Sequence, residues 1–183
     1  GSWDTSTQEN DPVYQDKILR SSIGRYDTFP DIEGNAFELG GSDDGDKIIK
    51  LETFADRLFV FGQHHLKIVN IQQDNFIVES KNPYMGLDGG NPSQSIATDN
   101  GIAWINSQGV YFYDGNKIHL LSEKIRNMWL GEDGYTAFWK SHAETSDVPG
   151  IVYDPESKKL ICIKTISESH TDLEHIFLIF SLN

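Results

Sequence analysis

Cysteine, basic charge and long apolar runs are all scarce in this chain of 183 residues, and each shortage removes a class of protein. The single cysteine, Cys162, sits in the run Leu160-Ile161-Cys162-Ile163. A thiol in such a run serves as a small core hydrophobe, so neither a disulfide framework nor a nucleophile is indicated. No stretch approaches the roughly 20 apolar residues of a membrane-spanning helix, and residues 1–16 carry neither a basic nor an apolar leader pattern. With 15 Lys and Arg against 28 Asp and Glu, the net charge is −13. Clustered cations that neutralise phosphates are therefore missing, which argues against a nucleic-acid-binding surface.

Catalytic signatures are missing too. There is no Gly-x-Ser-x-Gly, no Gly-x-x-x-x-Gly-Lys-Ser/Thr and no glycine-rich dinucleotide turn after a strand. Two carboxylates suffice for glycoside hydrolysis, and 28 are present, so that pairing alone stays open. Asp43-Asp44-Gly45-Asp46 departs from calcium-loop spacing and reads as a solvated turn. His170 and His175, with Asp172 and Glu174 between them, lack zinc-site spacing. His64 and His65 fall at a hairpin tip, and His142, Glu144 and Asp147 in a loop. We expect no catalytic residue, no cofactor and no metal.

What the chain has is strand chemistry at regular intervals. Ile48 to Phe54, Leu58-Phe59-Val60-Phe61, Leu66-Lys67-Ile68-Val69 and Phe76-Ile77-Val78 are rich in β-branched and aromatic residues. The short polar breaks between them force neighbours to pair as antiparallel hairpins. The order then returns in Ser95-Ile96-Ala97-Thr98, Ile102-Ala103-Trp104-Ile105, Val110-Tyr111-Phe112-Tyr113 and Ile118-His119-Leu120-Leu121. Leu58 maps onto Ile102 and Leu66 onto Val110, each about 44 positions on, and Phe76 onto Ile118 at about 42. His65 maps onto Gly109, which predicts a turn position with φ > 0.

A looser third copy comprises 135–139, Ile151-Val152-Tyr153, Leu160 to Ile163 and Ile176 to Phe180, with Ser167 to Glu174 as an exposed loop. One helix is predicted near 122–130, with Ser122 as N-cap, Gly131 after its end, and Ile125, Met128 and Trp129 on one stripe.

The expected fold is therefore all-β: repeated four-stranded antiparallel meanders forming a partial or whole β-propeller. A flexible segment 1–16 precedes a single propeller-like domain, 17–183, with blade-like units near 17–40, 47–79, 95–121 and 135–180. The residues expected to matter are structural: Gly101, Gly109, Asp114 and Gly115 at turns, and Trp104 and Trp129 in packing. Gly1-Ser2 reads as the remnant of tag cleavage, so the chain is expected to be a piece of something longer.

The run Ile48-x-x-Leu51-x-x-Phe54-x-x-x-Leu58-x-Val60-Phe61, then Leu66-x-Ile68, resembles the β-propeller proteins of short-tailed bacteriophage tails, namely the hub, nozzle and packaged-DNA-stabilisation proteins. Gly101-Ile102-x-Trp104, Gly109-Val110-Tyr111-x-Tyr113-Asp114-Gly115 and Ile118-x-x-Leu121-Ser122-x-x-Ile125 fit the same pattern, as does Arg25-Tyr26-Asp27-Thr28-Phe29-Pro30. The resemblance spans roughly residues 17 to 130. It implies a virion structural subunit in an oligomeric ring with portal or tail partners, forming part of the DNA passage and helping retain the packaged genome. An acidic wall would suit contact with DNA that must not adhere. The alternative is a glycan- or protein-binding propeller module without catalysis.

Overall fold

The computed structural model describes residues 17–21, 24–25, 36–38, 46–72, 77–132, 149–169 and 172–182. The chain divides into two units, 1–47 and 48–183. In the first, β1 (Lys17–Leu19) and β2 (Ala36–Glu38) form an antiparallel pair with Ile18 opposite Phe37.

The second unit is a series of antiparallel sheets. β3 (Ile48–Phe54), β4 (Arg57–Gly62), β5 (His65–Asn70) and β6 (Ile77–Pro83) form one four-stranded meander. β7 (Ser95–Thr98), β8 (Gly101–Asn106), β9 (Gly109–Tyr113) and β10 (Ile118–Leu120) form the next. β11 (Gly150–Asp154), β12 (Lys159–Ser169) and β13 (Asp172–Ser181) form a third. Among the described residues no sheet closes on itself.

The predicted repeat holds at the level of register. Phe54 pairs with Arg57 and Phe61 with Leu66. In the second sheet Thr98 pairs with Gly101 and Ile105 with Val110, the same pairs shifted by 44. The side chains that follow β5 and β9 also act alike: Asn70 Oδ1 accepts the Gln72 N–H, and Asp114 Oδ1 accepts the Asn116 N–H. An Asx side chain that accepts from the backbone two residues on starts the chain turning at each place.

The shift also governs which face meets which sheet. Phe59, Phe61, Leu66 and Ile68 of the first sheet pack against Ile102, Trp104, Tyr111 and Tyr113 of the second. The opposite face of the second sheet, Ala103, Ile105, Val110 and Phe112, packs against Ile151, Leu160 and Cys162 of the third. Ala103, Ile105, Val110 and Phe112 are the 44-residue equivalents of Phe59, Phe61, Leu66 and Ile68. Each sheet thus offers the same face to its successor, and strand alternation makes this possible by giving one sequence two faces.

The predicted short helix is present near 122–130: a 3₁₀ turn, Glu123–Ile125, leads into α1 (Arg126–Leu130). Three other expectations are corrected. Ser122 does not cap the helix with its side chain. Its Oγ instead accepts the buried Val110 N–H at 3.0 Å, a stronger claim on the hydroxyl because that donor has no water to turn to. Gly131 does end α1 in the left-handed region, at φ 74. Positive φ is found at Gly109 (φ 156), whereas His65, its equivalent, is not among the residues with positive φ.

The third correction is the loop predicted over 167–174, where β12 and β13 continue as a long hairpin, paired as far as Ser169 with Asp172. Backbone pairing, once in register, does not require apolar side chains to continue. The strand predicted at 135–139 lies outside the described residues. β11 holds the first-strand place beside β7, since the Tyr153 hydroxyl donates to Asp99 Oδ2 and Gly150 faces Ser93. Likewise Lys50 Nζ of β3 donates to the Ser95 carbonyl of β7 at 2.7 Å.

Candidate functional site

The groups singled out in the sequence fall at three kinds of place: seams between sheets, turns, and segments outside the described residues. At the first seam Trp104 is fully buried, its ring 5.6 Å from Phe61 and stacked on Tyr111 at 5.4 Å. Tyr113 meets Phe59 edge-on at 4.9 Å, and its hydroxyl donates to the Gly115 carbonyl. Burial pushes both phenols, Tyr111 and Tyr113, above the ordinary tyrosine value. These aromatics pack sheet against sheet, where their area counts most.

Trp129 closes the second seam. It is fully buried and donates from Nε1 to the Asn106 carbonyl at 3.0 Å. Gly101 is required by space and not by φ: a Cβ there would stand 1.8 Å from the Tyr113 carbonyl oxygen. Gly109 is confined by its neighbours, since a Cβ would meet Ser122 Oγ at 2.5 Å and Leu120 Cδ1 at 2.7 Å.

Asp114 organises the last turn of the second sheet. Its carboxylate takes the Asn116 and Lys117 N–H groups at 2.8 and 2.9 Å and meets His119 Nε2 at 2.6 Å. The His119 contact, followed by the two backbone donors, holds this carboxyl far below the usual carboxylate range. Gly115, at φ 95, lets the chain turn there.

His142, Glu144, Asp147 and His170 lie outside the described residues, as do Asp43 and Asp44, while His175 falls within β13. Among the described residues no group of three or more His, Cys, Asp or Glu side chains is gathered as a metal site would need. No described helix is long and apolar enough to cross a membrane.

Asp56, Asp99, Asp114, Asp154 and Glu156 gather at the end that carries the first and third turns of the meanders, interspersed with Arg57, Lys117, Lys158 and Lys159.

One surface stands apart. On the third sheet, Val152, Ile161 and Ile179 lie opposite one another across three strands, on the face turned away from the second sheet. Val152 is 46% and Ile179 61% exposed. This is the face that, on the first two sheets, receives the following sheet. Alternation along short strands contained the signal for it, since Val152 and Ile179 are apolar where an outward position would be polar. No family model matches the chain, and no curated protein matches it.

Proposed function

We propose that this protein is a non-enzymatic structural subunit of a bacteriophage tail, of the hub or nozzle type, whose meanders are blades of a propeller-like assembly. It forms part of an oligomeric ring around the DNA passage and helps retain the packaged genome, with other tail or portal proteins as neighbours. The observation that carries the reading is the front-to-back stacking of equivalent meanders, which ends in the uncovered aliphatic face of Val152 and Ile179. An exposed apolar sheet face that repeats a covered one is suited to contact with further protein.

The net charge of −13 favours a wall to which DNA does not adhere. Native mass spectrometry and sedimentation test the reading. A defined oligomer, dispersed by Ile179→Lys without loss of folding, supports it. A chain that stays monomeric at every concentration and ignores purified tail and portal proteins overturns it, in favour of a glycan- or protein-binding propeller module.

A further inference from the structure

The connector between the first two sheets presents one aromatic ring outward. Tyr84 is 78% exposed, and its backbone has φ 62, a left-handed conformation that a bulky residue keeps only where the surroundings impose it. The surroundings are explicit. Asn106 Nδ2 donates to the carbonyl oxygens of both Tyr84 and Gly86, each at 3.0 Å. The Leu87 N–H donates to the Gly62 carbonyl at 2.9 Å, and Asp88 Oδ2 accepts the Ser107 N–H at 3.0 Å. Gly86 lies so close to the turn after β4 that a Cβ would stand 2.6 Å from the Gly62 oxygen.

Beside the ring is an open cleft of about 150 Å³ lined by Gln63, His64, Tyr84, Asp88, Ser107 and Gln108. Its two sides are one structural element used twice. Gln63-His64 and Ser107-Gln108 are the equivalent two-residue turns of successive sheets, 44 positions apart, so the stacking that builds the seam also sets their side chains across from each other. The lining carries no Lys or Arg, and its one carboxylate, Asp88, disfavours an anion. What remains is a rim of amides, imidazole and hydroxyl, groups that both donate and accept, next to a flat aromatic face.

We propose that this cleft binds a neutral saccharide, with the C–H face of a pyranose ring on Tyr84 and its hydroxyls shared between Gln63 and Gln108. Hydroxyl groups need partners that offer donor and acceptor together, which amides do, and the apolar side of a sugar needs an exposed ring held still. A backbone fixed from both sides lowers the ordering cost of presenting that ring. The proposal is independent of the tail assignment: one concerns assembly, the other this cleft.

The test is ligand-observed NMR on the full chain with methyl glycosides of glucose, galactose, mannose and N-acetylglucosamine, and methyl glucuronide as the charged comparison. We expect saturable binding of at least one neutral glycoside, in the millimolar range open to a single ring of about a dozen heavy atoms. Tyr84→Ala and Gln108→Ala should each weaken it by about tenfold or more, while Tyr84→Trp retains it. The Gln108 side chain is exposed and does not anchor the connector, and its backbone N–H, which holds Asn106 Oδ1, is kept in Gln108→Ala, so this variant reads the site even if Tyr84→Ala shifts the backbone. No saturable binding of any neutral glycoside, or binding unchanged by both alanine variants, or preference for the glucuronide, would overturn the proposal.

Discussion

Leu87 and Trp129 occupy equivalent places at the ends of successive sheets and satisfy equivalent carbonyls by different chemistry. Leu87 donates its backbone N–H to the Gly62 oxygen at 2.9 Å, and Trp129 donates its indole N–H to the Asn106 oxygen at 3.0 Å. Gly62 and Asn106 are 44 positions apart, and both donors are fully buried. Each side chain seals one seam: Leu87 among Phe59, Phe61 and Trp104, Trp129 among Ile105, Val110 and Leu160. In the second seam a side chain both fills the space and supplies the donor, which makes Trp129 the more sensitive position.

Trp129→Ala should therefore destabilise the fold by about 3–5 kcal/mol, the range for truncating a large buried aromatic. Trp129→Phe keeps most of the packing and removes the donor, leaving the Asn106 carbonyl unpaired at a cost of about 1–3 kcal/mol. Urea denaturation followed by circular dichroism separates the two. Equal effects would mean that the hydrogen bond, and not the volume, is what matters.

Ser122 and Gly109 form a second test, because they press on one another. Ser122→Ala strands the buried Val110 N–H and should cost about 1–3 kcal/mol. Gly109→Val should cost about 1–3 kcal/mol from its φ of 156 alone, with a further loss as the branched side chain meets Ser122 and Leu120. A substitution at His65 with valine carries no such backbone penalty. Finding the two positions equally sensitive in chemical denaturation would refute this account.

These two residues also mark the limit of what is legible in the sequence. The 44-residue shift, the hairpin breaks and the alternation that sets Trp104 and Phe61 in one seam are local or periodic, and periodicity is visible in one dimension. The reason for Gly109 is not. It depends on a hydroxyl 13 positions away that looked like a helix cap, and a Ser before a helical stripe is ambiguous until tertiary contacts choose its partner. The hairpin of β12 and β13 was hidden for a related reason: Ser167 to Glu174 is polar, and the ladder that extends it is a backbone property. Tyr84 gave no signal at all, since an exposed ring follows from a turn that only the stacked sheets impose.

Stability should fall in acid. The carboxyl of Asp114 is lowered by His119 and then by the Lys117 and Asn116 N–H groups, that of Glu79 by Asn70 and then Arg57, and that of Asp154 by the Ser157 hydroxyl. A lowered value in the folded state means that the unfolded chain binds more protons, so the contribution is complete above the unfolded values of 3.8 and 4.5, declines below them, and is lost only as pH falls through the lower folded-state values. Urea midpoints should hold steady from neutrality to about pH 5 and decline below. Asp114→Asn should shallow that decline; an unchanged slope would remove Asp114 from the explanation.

Cys162 should be silent while the protein is folded. Burial pushes its thiol up to about 12, so almost none is ionised near neutrality. A thiol-reactive dye at pH 8 is expected to label it only in denaturant, at a rate that follows unfolding. Fast labelling of the native protein would show that the second seam opens readily around the third sheet.

Because each layer carries on its two sides what its predecessor and its successor require, a duplicated stretch of coding sequence arrives ready to be inserted. No fresh complementary surface has to evolve; growth by copying preserves every fit already made. Only the outermost layer faces a different demand, since its far side must either be rewritten for water or find a neighbour. Valine at 152 and isoleucine at 179 show that this side has kept the chemistry of an interior.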